Sequence, residues 1–594
     1  VPKLIPKIQT RPLNASVYQD LLAAGIEPIV AKIIASRPIP SHEKGAIATL
    51  QCQLADMSSP FLMQDMQKAV DRVIKAIRHG EVIGIETDHD CDGQTSHAVL
   101  VTGLSQILGH PRHKIQSYIG HRMQEGYGLS DSVAQRILSN PIKPTLLITA
   151  DNGSADEPRI EKLKAAGIDV IVTDHHAIPA EGLPQSAYAC LNPTREDCQF
   201  PDPYIAGCMV AWLLIAAVRR LMIETALLSP AAPSAIELLD YVAVGTVADC
   251  VSMARSINNR VVVQFGLNKI NQMQRACWQA LRPLLRRPVV TAEDLGFVIG
   301  PLLNSDGRLS DAFGSVSFLL AESLEEAGPW AQQLWQHNQN RKAIQKEITT
   351  QAMRAAEKQV QEGKLSLVIY LANGHAGVHG ISASKIKDAF GRPTMIFSPK
   401  VTEPHLISGS ARSIDGVDIR QALQDIANIK PKLMVKFGGH KGAAGVTIEL
   451  ADFEEFASAF EMAIAKQVLP HQLGPIIWTD GKFEGIANLD FLARLEVLLP
   501  FGREFEAPVF EAHCKVQNIR AVGQGGLHFQ LNLECDGQLL NSIWFNACEP
   551  EEHELPVNIG DKVHVVFSLA ENVFREQRSV QCQIHYLQKC NDNN

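Results

Sequence analysis

The chain has 594 residues, too many for one hydrophobic core, and at about 150 residues per domain roughly three or four domains are expected. Hydrophobic residues make up 46% and charged residues 20%, an ordinary globular composition that excludes fibrous and disordered classes. The net charge of -9 excludes a general polycation, so any nucleic-acid contact must come from basic groups gathered locally.

The twelve cysteines are scattered without a Cys-x-x-Cys pair, which argues against a paired-cysteine zinc site and against a small secreted disulfide scaffold. Free thiols in a reducing cytosol are the expectation. Val1-Pro2-Lys3-Leu4 lacks the apolar core of a signal peptide. The most apolar run, Ile205 to Val218, is shorter than the ~20 residues that span a bilayer and ends in Arg219-Arg220. It reads as a buried helix, and the chain as cytoplasmic.

Residues 1–60 are punctuated by proline and read as a small helical lead-in. From Met63 to Arg78, apolar Met66, Val70, Val73, Ile74 and Ile77 recur at helical spacing, and Gly80 stops the helix. Three short apolar runs then each lead into acid: Val82–Ile85 before Asp88, Thr145–Thr149 before Asp151, and Ile168–Thr173 before Asp174. Strands alternating with helices imply a parallel sheet, whose ligands gather at the carboxyl ends of its strands. Residues 61–320 thus form an α/β lobe with its acids on one rim. The polar stretch Ser323–Gly363 predicts a long connecting helix (321–364), and a second α/β pattern follows over 365–470. Within 471–594, Phe529, Leu531 and Leu533 alternate, as do Val563, Val565 and Phe567. That period of two predicts antiparallel strands. An OB-like β-barrel suits the length and could bind single strands, while an unrelated β-sandwich fits the periodicity equally well.

Four clusters carry chemistry. In Asp88-His89-Asp90-Cys91-Asp92-Gly93, three carboxylates so close repel one another unless a cation or proton intervenes, and hard divalent cations want such ligands. The same loop could simply cap a helix, with Gly93 allowing the turn. Asp151-Asn152-Gly153 alone is a turn after a strand. Asp174-His175-His176 offers one imidazole for a metal and one for proton transfer. Asp249, closing Gly245-Thr246-Val247-Ala248-Asp249, would by itself be a cap. Together these groups supply enough ligands for two metals, which at about 3.5–4 Å separation can activate a water and stabilise a leaving oxygen.

In this order the clusters resemble the DHH phosphoesterase superfamily and, within it, the RecJ family of single-strand-specific exonucleases. Supporting segments are Arg122 with Glu125-Gly126-Tyr127-Gly128-Leu129, Leu191-Asn192-Pro193, Asn304 with Gly307-Arg308-Leu309, Ser408 to Ser413, and Phe437-Gly438-Gly439-His440 with Ala443-Ala444-Gly445. The likeness covers nearly all the chain after residue 60. It implies that Asp88, Asp90, Asp151, His175 and Asp249 ligate two divalent cations, Mn²⁺ or Mg²⁺, with Asp151 bridging. His176 would stand near the scissile phosphate, Asp92 would support its loop, and Asp174 would orient the histidines. Arg122, Ser410 and Arg412 would grip the 5′ end of the DNA, with Asn304, Arg308, His375 and His440 also contacting the strand. The implied activity is 5′→3′ hydrolysis of single-stranded DNA by a monomer, in repair and recombination, alongside a single-strand-binding protein and a RecQ-type helicase, with no membrane. Consistently, residues 381–445 hold ten lysines and arginines against five acids.

The chain departs from the family's pattern in places. Pro301-Leu302-Leu303-Asn304 lacks an arginine often found after the proline. Asp306 places a negative charge near the expected DNA path, and His379, Cys91 and Glu86 replace other residue types. Two alternatives stand beside the exonuclease: a DHH phosphodiesterase of short oligonucleotides or cyclic dinucleotides, and a repair or replication scaffold without catalysis. The β-region argues for long strands against the first, and the complete ligand set argues against the second.

Overall fold

The computed structural model describes residues 4–590 except 41, 122–124, 126, 286, 310–311, 402, 524–525, 548–554 and 575–576, and describes the backbone alone at 308, 309, 470 and 574. The chain divides into two compact units, Val1–Gln9 with Trp335–Trp478, and Thr10–Leu334 with Thr479–Asn594. After a short strand β1 (Lys7–Thr10), the lead-in packs into the larger unit. The fully buried Arg37 guanidinium there grips Asp480 through both carboxylate oxygens, at 2.6 and 3.1 Å.

The helix expected before the sheet spans Met66–His79, buries Val70, Val73 and Ile74, and ends at Gly80 in the left-handed region (φ 58°). The sheet comprises β2 (Ile83–Thr87), β3 (Ile115–Ile119), β4 (Leu146–Ala150), β5 (Asp169–Thr173) and β6 (Ala189–Leu191), ordered β3-β2-β4-β5-β6. Every neighbouring pair is parallel. Every residue of β2 and β4 is buried, as expected of strands covered on both faces. The register is flush: Thr87 pairs with Ala150, Ala150 with Thr173, and Thr173 with Leu191. The residues that follow, Asp88, Asp151 and Asp174, therefore leave the sheet side by side at strand spacings of about 4.8 Å. The apolar run after Ile205 forms a buried helix, Gly207–Glu224, against the sheet. No helix among the described residues is long and apolar enough to cross a membrane.

A helix over Leu324–Gln361 carries the chain from the larger unit into the smaller. The smaller unit's sheet contains β7 (Leu367–Tyr370), β8 (Thr394–Pro399), β9 (Leu406–Arg412), β10 (Lys436–His440) and β11 (Ala443–Glu449), in the order β10-β11-β9-β8-β7. Only β7 and β8 run parallel. Phe397 meets Phe456 edge-to-face, and Phe456 stacks on Phe460 in the core. Strand β12 (Ile476–Thr479) pairs with β1.

The C-terminal region is a closed barrel of β13 (Phe510–Val522), β14 (His528–Cys535), β15 (Gln538–Trp544), β16 (Lys562–Phe574) and β17 (Gln577–Lys589), ordered β13-β14-β15-β17-β16. Closure excludes the sandwich. The alternating Phe529, Leu531 and Leu533 point inward, as do Val563, Val565 and Phe567. Val566 is buried as well, because a bulge between Val566 and Phe567 interrupts the period of two. The expectation of free thiols fails at one pair: Cys514 and Cys535 form a disulfide. The pairing of Lys515 with Glu534 sets these two inward-facing residues opposite each other, with Cα atoms 4.4 Å apart. Spacing alone could not show it, since the register is set by the hairpin's packing.

Candidate metal centre

Local backbone places each acid. Asp90 caps the helix Cys91–Thr102, its Oδ1 accepting N–H groups from Asp92 and Gly93 at 3.0 and 3.2 Å. The capping role weighed for this loop is thus present, and Asp90 also lies in a donor set with Asp88 and Asp151. Gly93 is needed for closeness rather than for a turn: a Cβ there would lie 2.2 Å from the Asp88 carbonyl oxygen. Asp151 adopts φ 63°, unusual for a residue with a side chain, at the end of β4. Gly207 presses against it, and a Cβ at that position would come within 2.8 Å of the Asp151 Cβ.

Asp92 is buried and points at the start of the long buried helix, accepting from Gly207 N–H at 2.7 Å and Cys208 N–H at 2.9 Å. Asp174 organises the histidine pair. Its Oδ1 accepts from the backbone N–H groups of His175 (2.7 Å) and His176 (3.1 Å) and meets His176 Nδ1 at 2.8 Å, while Oδ2 accepts from Ser154 N–H at 3.0 Å. Asp249 closes the helix Leu239–Ala248 at its C-terminal end. A carboxylate there opposes the helix dipole, so it needs a positive partner.

Three donor sets result, each with its atoms within 4.8 Å of one another: Asp88, Asp90 and Asp151; Asp92, His175 and Asp249; and Asp151, His175 and His176. Asp151 belongs to two of them, and so does His175. His175 Nε2 lies 3.2 Å from Asp151 Oδ1 and 3.6 Å from Asp249 Oδ2. Asp151 Oδ1 and His175 Nε2 are buried yet make no hydrogen bond of normal geometry. Burial raises the Asp90, Asp151 and Asp249 carboxyls above their usual range, and neighbouring aspartates add to the shift. Burial also lowers His175, with His176 adding to it, which keeps the ring neutral as a metal ligand requires. Crowded oxygens, a neutral imidazole and unsatisfied buried atoms are a donor set that fits two hard divalent cations.

His176 differs. Burial opposes its charge, but the Asp174 hydrogen bond and charge, with Asp249 and Asp90, raise it to about 9. Its Nε2 stands 3.1 Å from the Tyr127 hydroxyl. Tyr127, which lies edge-on to both His89 and His176, was quoted in a supporting segment but given no role from the sequence. Nor was a role given to His89, whose Nδ1 is 2.9 Å from Asp88 Oδ1. A lone aromatic in a glycine-bearing loop and a histidine between two aspartates give weak signals. Glu86 is wholly buried in β2 beside Asn152, and burial followed by the charges of Asp156 and Asp88 pushes its carboxyl well up.

The expected DNA contacts fare unevenly. Arg122 and the side chain of Arg308 lie outside the described residues. Asn304 accepts Cys91 N–H at 2.8 Å, so its oxygen positions the Asp90 loop. Asp306 is fully buried and accepts from Ser315 N–H at 3.1 Å, so its carboxylate is not a surface charge. Leu302 is buried too, so this position does not offer a surface cation site. In the smaller unit, Phe437 to Gly445 form the hairpin β10–β11. Register aligns His440 with Ala443, and Ala443 with Arg412. Arg412 donates to the Ala411 carbonyl at 2.8 Å, and a Cβ on Gly380 would meet its Nη2 at 2.5 Å. Ser410 shares the face of β9 with Arg412, and His375 caps the helix Ala376–Phe390.

Fold and site define a two-lobed α/β metal-site protein of the DHH class. Residues 82–246 match the DHH family N-terminal domain, 364–466 the DHHA1 domain, and 482–586 the RecJ OB domain. The chain is 33% identical to the single-stranded-DNA-specific exonuclease RecJ of Haemophilus influenzae, over 94% of this chain and 96% of that one. It is also 33% identical to RecJ of Escherichia coli, over 97% and 98%. The crystal structure of RecJ with Mn²⁺ from Thermus thermophilus shares the fold, with a TM-score of 0.76 at 23% identity over 98% of this chain and 79% of that one. The chain belongs to the RecJ family.

Proposed function

We propose that this chain is a metal-dependent exonuclease that degrades single-stranded DNA from its 5′ end to nucleotides. One observation carries the reading: a flush parallel sheet delivers two donor sets, one of three aspartates and one of an aspartate with two histidines, that share Asp151. Asp88, Asp90, Asp151, His175 and Asp249 would hold two cations, Mn²⁺ or Mg²⁺, the kinds of ion with which RecJ of Thermus thermophilus was crystallised. Such ions supply a water of lowered pKa and stabilise charge on the leaving oxygen.

The protein's own groups do the rest. Asp174 locks the His176 ring through Nδ1 and favours its charged form, which would suit it to stand near the scissile phosphate; Asp92 ties its loop to the start of the buried helix. In the smaller unit, Ser410 and Arg412 on the small-residue face of β9 would receive the 5′ end, with His440 and His375 nearby in that lobe. The barrel favours long strands over dinucleotides. In the cytoplasm, a RecQ-type helicase and a single-strand-binding protein would supply such strands to a monomeric enzyme.

The test is timed digestion of strands labelled separately at each end, with Mn²⁺ and with chelator. The 5′ label should appear first as mononucleotide, and only with metal. Early release of the 3′ label would reverse the polarity, and metal-independent release would end the mechanism.

A further inference from the structure

The metal centre carries a charge problem that its ligands do not solve. Asp88, Asp90, Asp92, Asp151 and Asp249 bring five formal negative charges, and two divalent cations offset four. A phosphodiester adds another negative charge, so a strand bound there needs positive groups beside the centre as well as in it. The structure offers one from a distant stretch of chain.

Residues 498–506, ahead of the barrel, are strapped onto the segment that follows Asp249. The fully buried Arg260 donates to the carbonyls of Leu498 (2.8 Å), Leu499 (3.2 Å) and Pro500 (3.2 Å) and lies over the Phe505 ring at 4.5 Å. Gly502 and Phe505 close a tight turn through paired backbone hydrogen bonds, and Met253 N–H donates to the Arg503 carbonyl at 2.9 Å. Ser252 and Arg255 both hold the Glu504 carboxylate, at 2.5 and 3.0 Å. At the tip, Arg503 is exposed, and its Nη1 donates to the carbonyl of Cys250, the residue after Asp249, at 3.3 Å.

We propose that Arg503 binds a phosphate of the DNA strand beside the metal centre, on the side of the site formed by Asp249. A guanidinium has five N–H donors, and one engaged with Cys250 leaves others for phosphate oxygens. The Cys250 carbonyl is a neutral acceptor, so the guanidinium keeps its full charge for an anion beside Asp249. The strap holds the side chain there before the strand arrives, which lowers the ordering cost of binding. The inference rests on the exonuclease reading, since it takes the phosphate to lie at these cations.

The test uses the full chain and a fluorescent oligo-dT, with Mn²⁺ for turnover and Ca²⁺ for binding. Arg503→Gln should raise KM by about five- to tenfold with kcat within about twofold, the pattern of lost uniform binding. It should also lower the slope of log Kd against log salt by about 0.7, one phosphate contact on a single strand. Arg503→Lys should restore the slope. Glu504→Gln, which loosens the strap but keeps the Arg503 guanidinium, should leave the slope as in the wild type. An unchanged KM and slope in Arg503→Gln overturns the proposal. So does a loss that follows a raised half-saturating Mn²⁺ concentration, which would make Arg503 a support for Asp249, and so does an equal slope change in Glu504→Gln. A wild-type chain that released no nucleotide would instead sink the exonuclease reading.

Discussion

The rim of the parallel sheet and the glycine-rich face of the smaller unit are built on opposite principles. At the rim, charged groups are buried, mutually repelling and held by backbone N–H donors, helix ends and glycine contacts. On the β9–β11 face, small residues leave the backbone open, and the polar groups stand at the surface or half-buried. The first arrangement stores electrostatic cost that cations can relieve. The second stores little and offers a surface. Chemistry is expected to depend steeply on the rim and binding more gently on the face.

The largest test of this contrast is Asp151→Ala, which removes the carboxylate shared by two donor sets. Nucleotide release with Mn²⁺ should fall by about 10³-fold or more, some 4 kcal/mol, while binding of a long single strand stays within a few-fold. Activity within tenfold of wild type would break the shared-ligand reading. A smaller effect concerns the rigidity behind the rim. His97 is buried between Thr87 and Ser117, and burial, with Arg112 adding to it, lowers its pKa to about 3. Its folded pKa is depressed below the unfolded value near 6.5, so the unfolded chain binds the extra proton between these values. Stability should therefore fall as pH drops below about 6.5, by up to about 1.4 kcal/mol per unit, or about 2 kcal/mol by pH 5. Urea unfolding at pH 7 and pH 5 should show that drop in the wild type and less of it in His97→Gln; identical drops would exclude His97 as the source.

On the face, Arg412→Ala should raise KM for 5′-phosphorylated strands by about tenfold, near 1.4 kcal/mol, and bring it level with strands ending in a 5′-hydroxyl. Gly380→Ser, which crowds the same guanidinium, should act in the same direction. An equal loss on both ends would show a general contact rather than an end pocket. The smallest effect is expected at Tyr127→Phe, which deletes the hydroxyl beside His176 Nε2. About fivefold in kcat, near 1 kcal/mol, would match one hydrogen bond. A change only in KM would move Tyr127 from the chemistry to the strand.

Much of this was legible beforehand because it is local. Apolar runs ending in Asp88, Asp151 and Asp174 report strands and their carboxyl ends, and the parallel alternation with helices implies a shared rim. Other features were hidden. Asp306 looked like a charge on the DNA path, yet its carboxylate turns inward to the Ser315 N–H. Nothing in spacing distinguishes an exposed aspartate from one that caps a helix from a distance. The hairpin in Phe437–Gly445 was hidden by its glycines, which suit a turn, a close helix and a strand pair alike.

Residue identity and short-range pattern determined the class of the site: which acids and imidazoles could hold cations, which segments were strands, and that the C-terminal region alternated. Tertiary structure alone decided that Thr87, Ala150 and Thr173 end in register, that Asp249 arrives from a helix end to meet His175, and that Cys514 faces Cys535. It also decided that Arg503, some 250 positions beyond Asp249, is folded back beside it. The division has a physical cause. Periodicity and capping act over a few residues and are written in consecutive letters, whereas register and long-range contact are set by how whole elements pack, which consecutive letters do not specify.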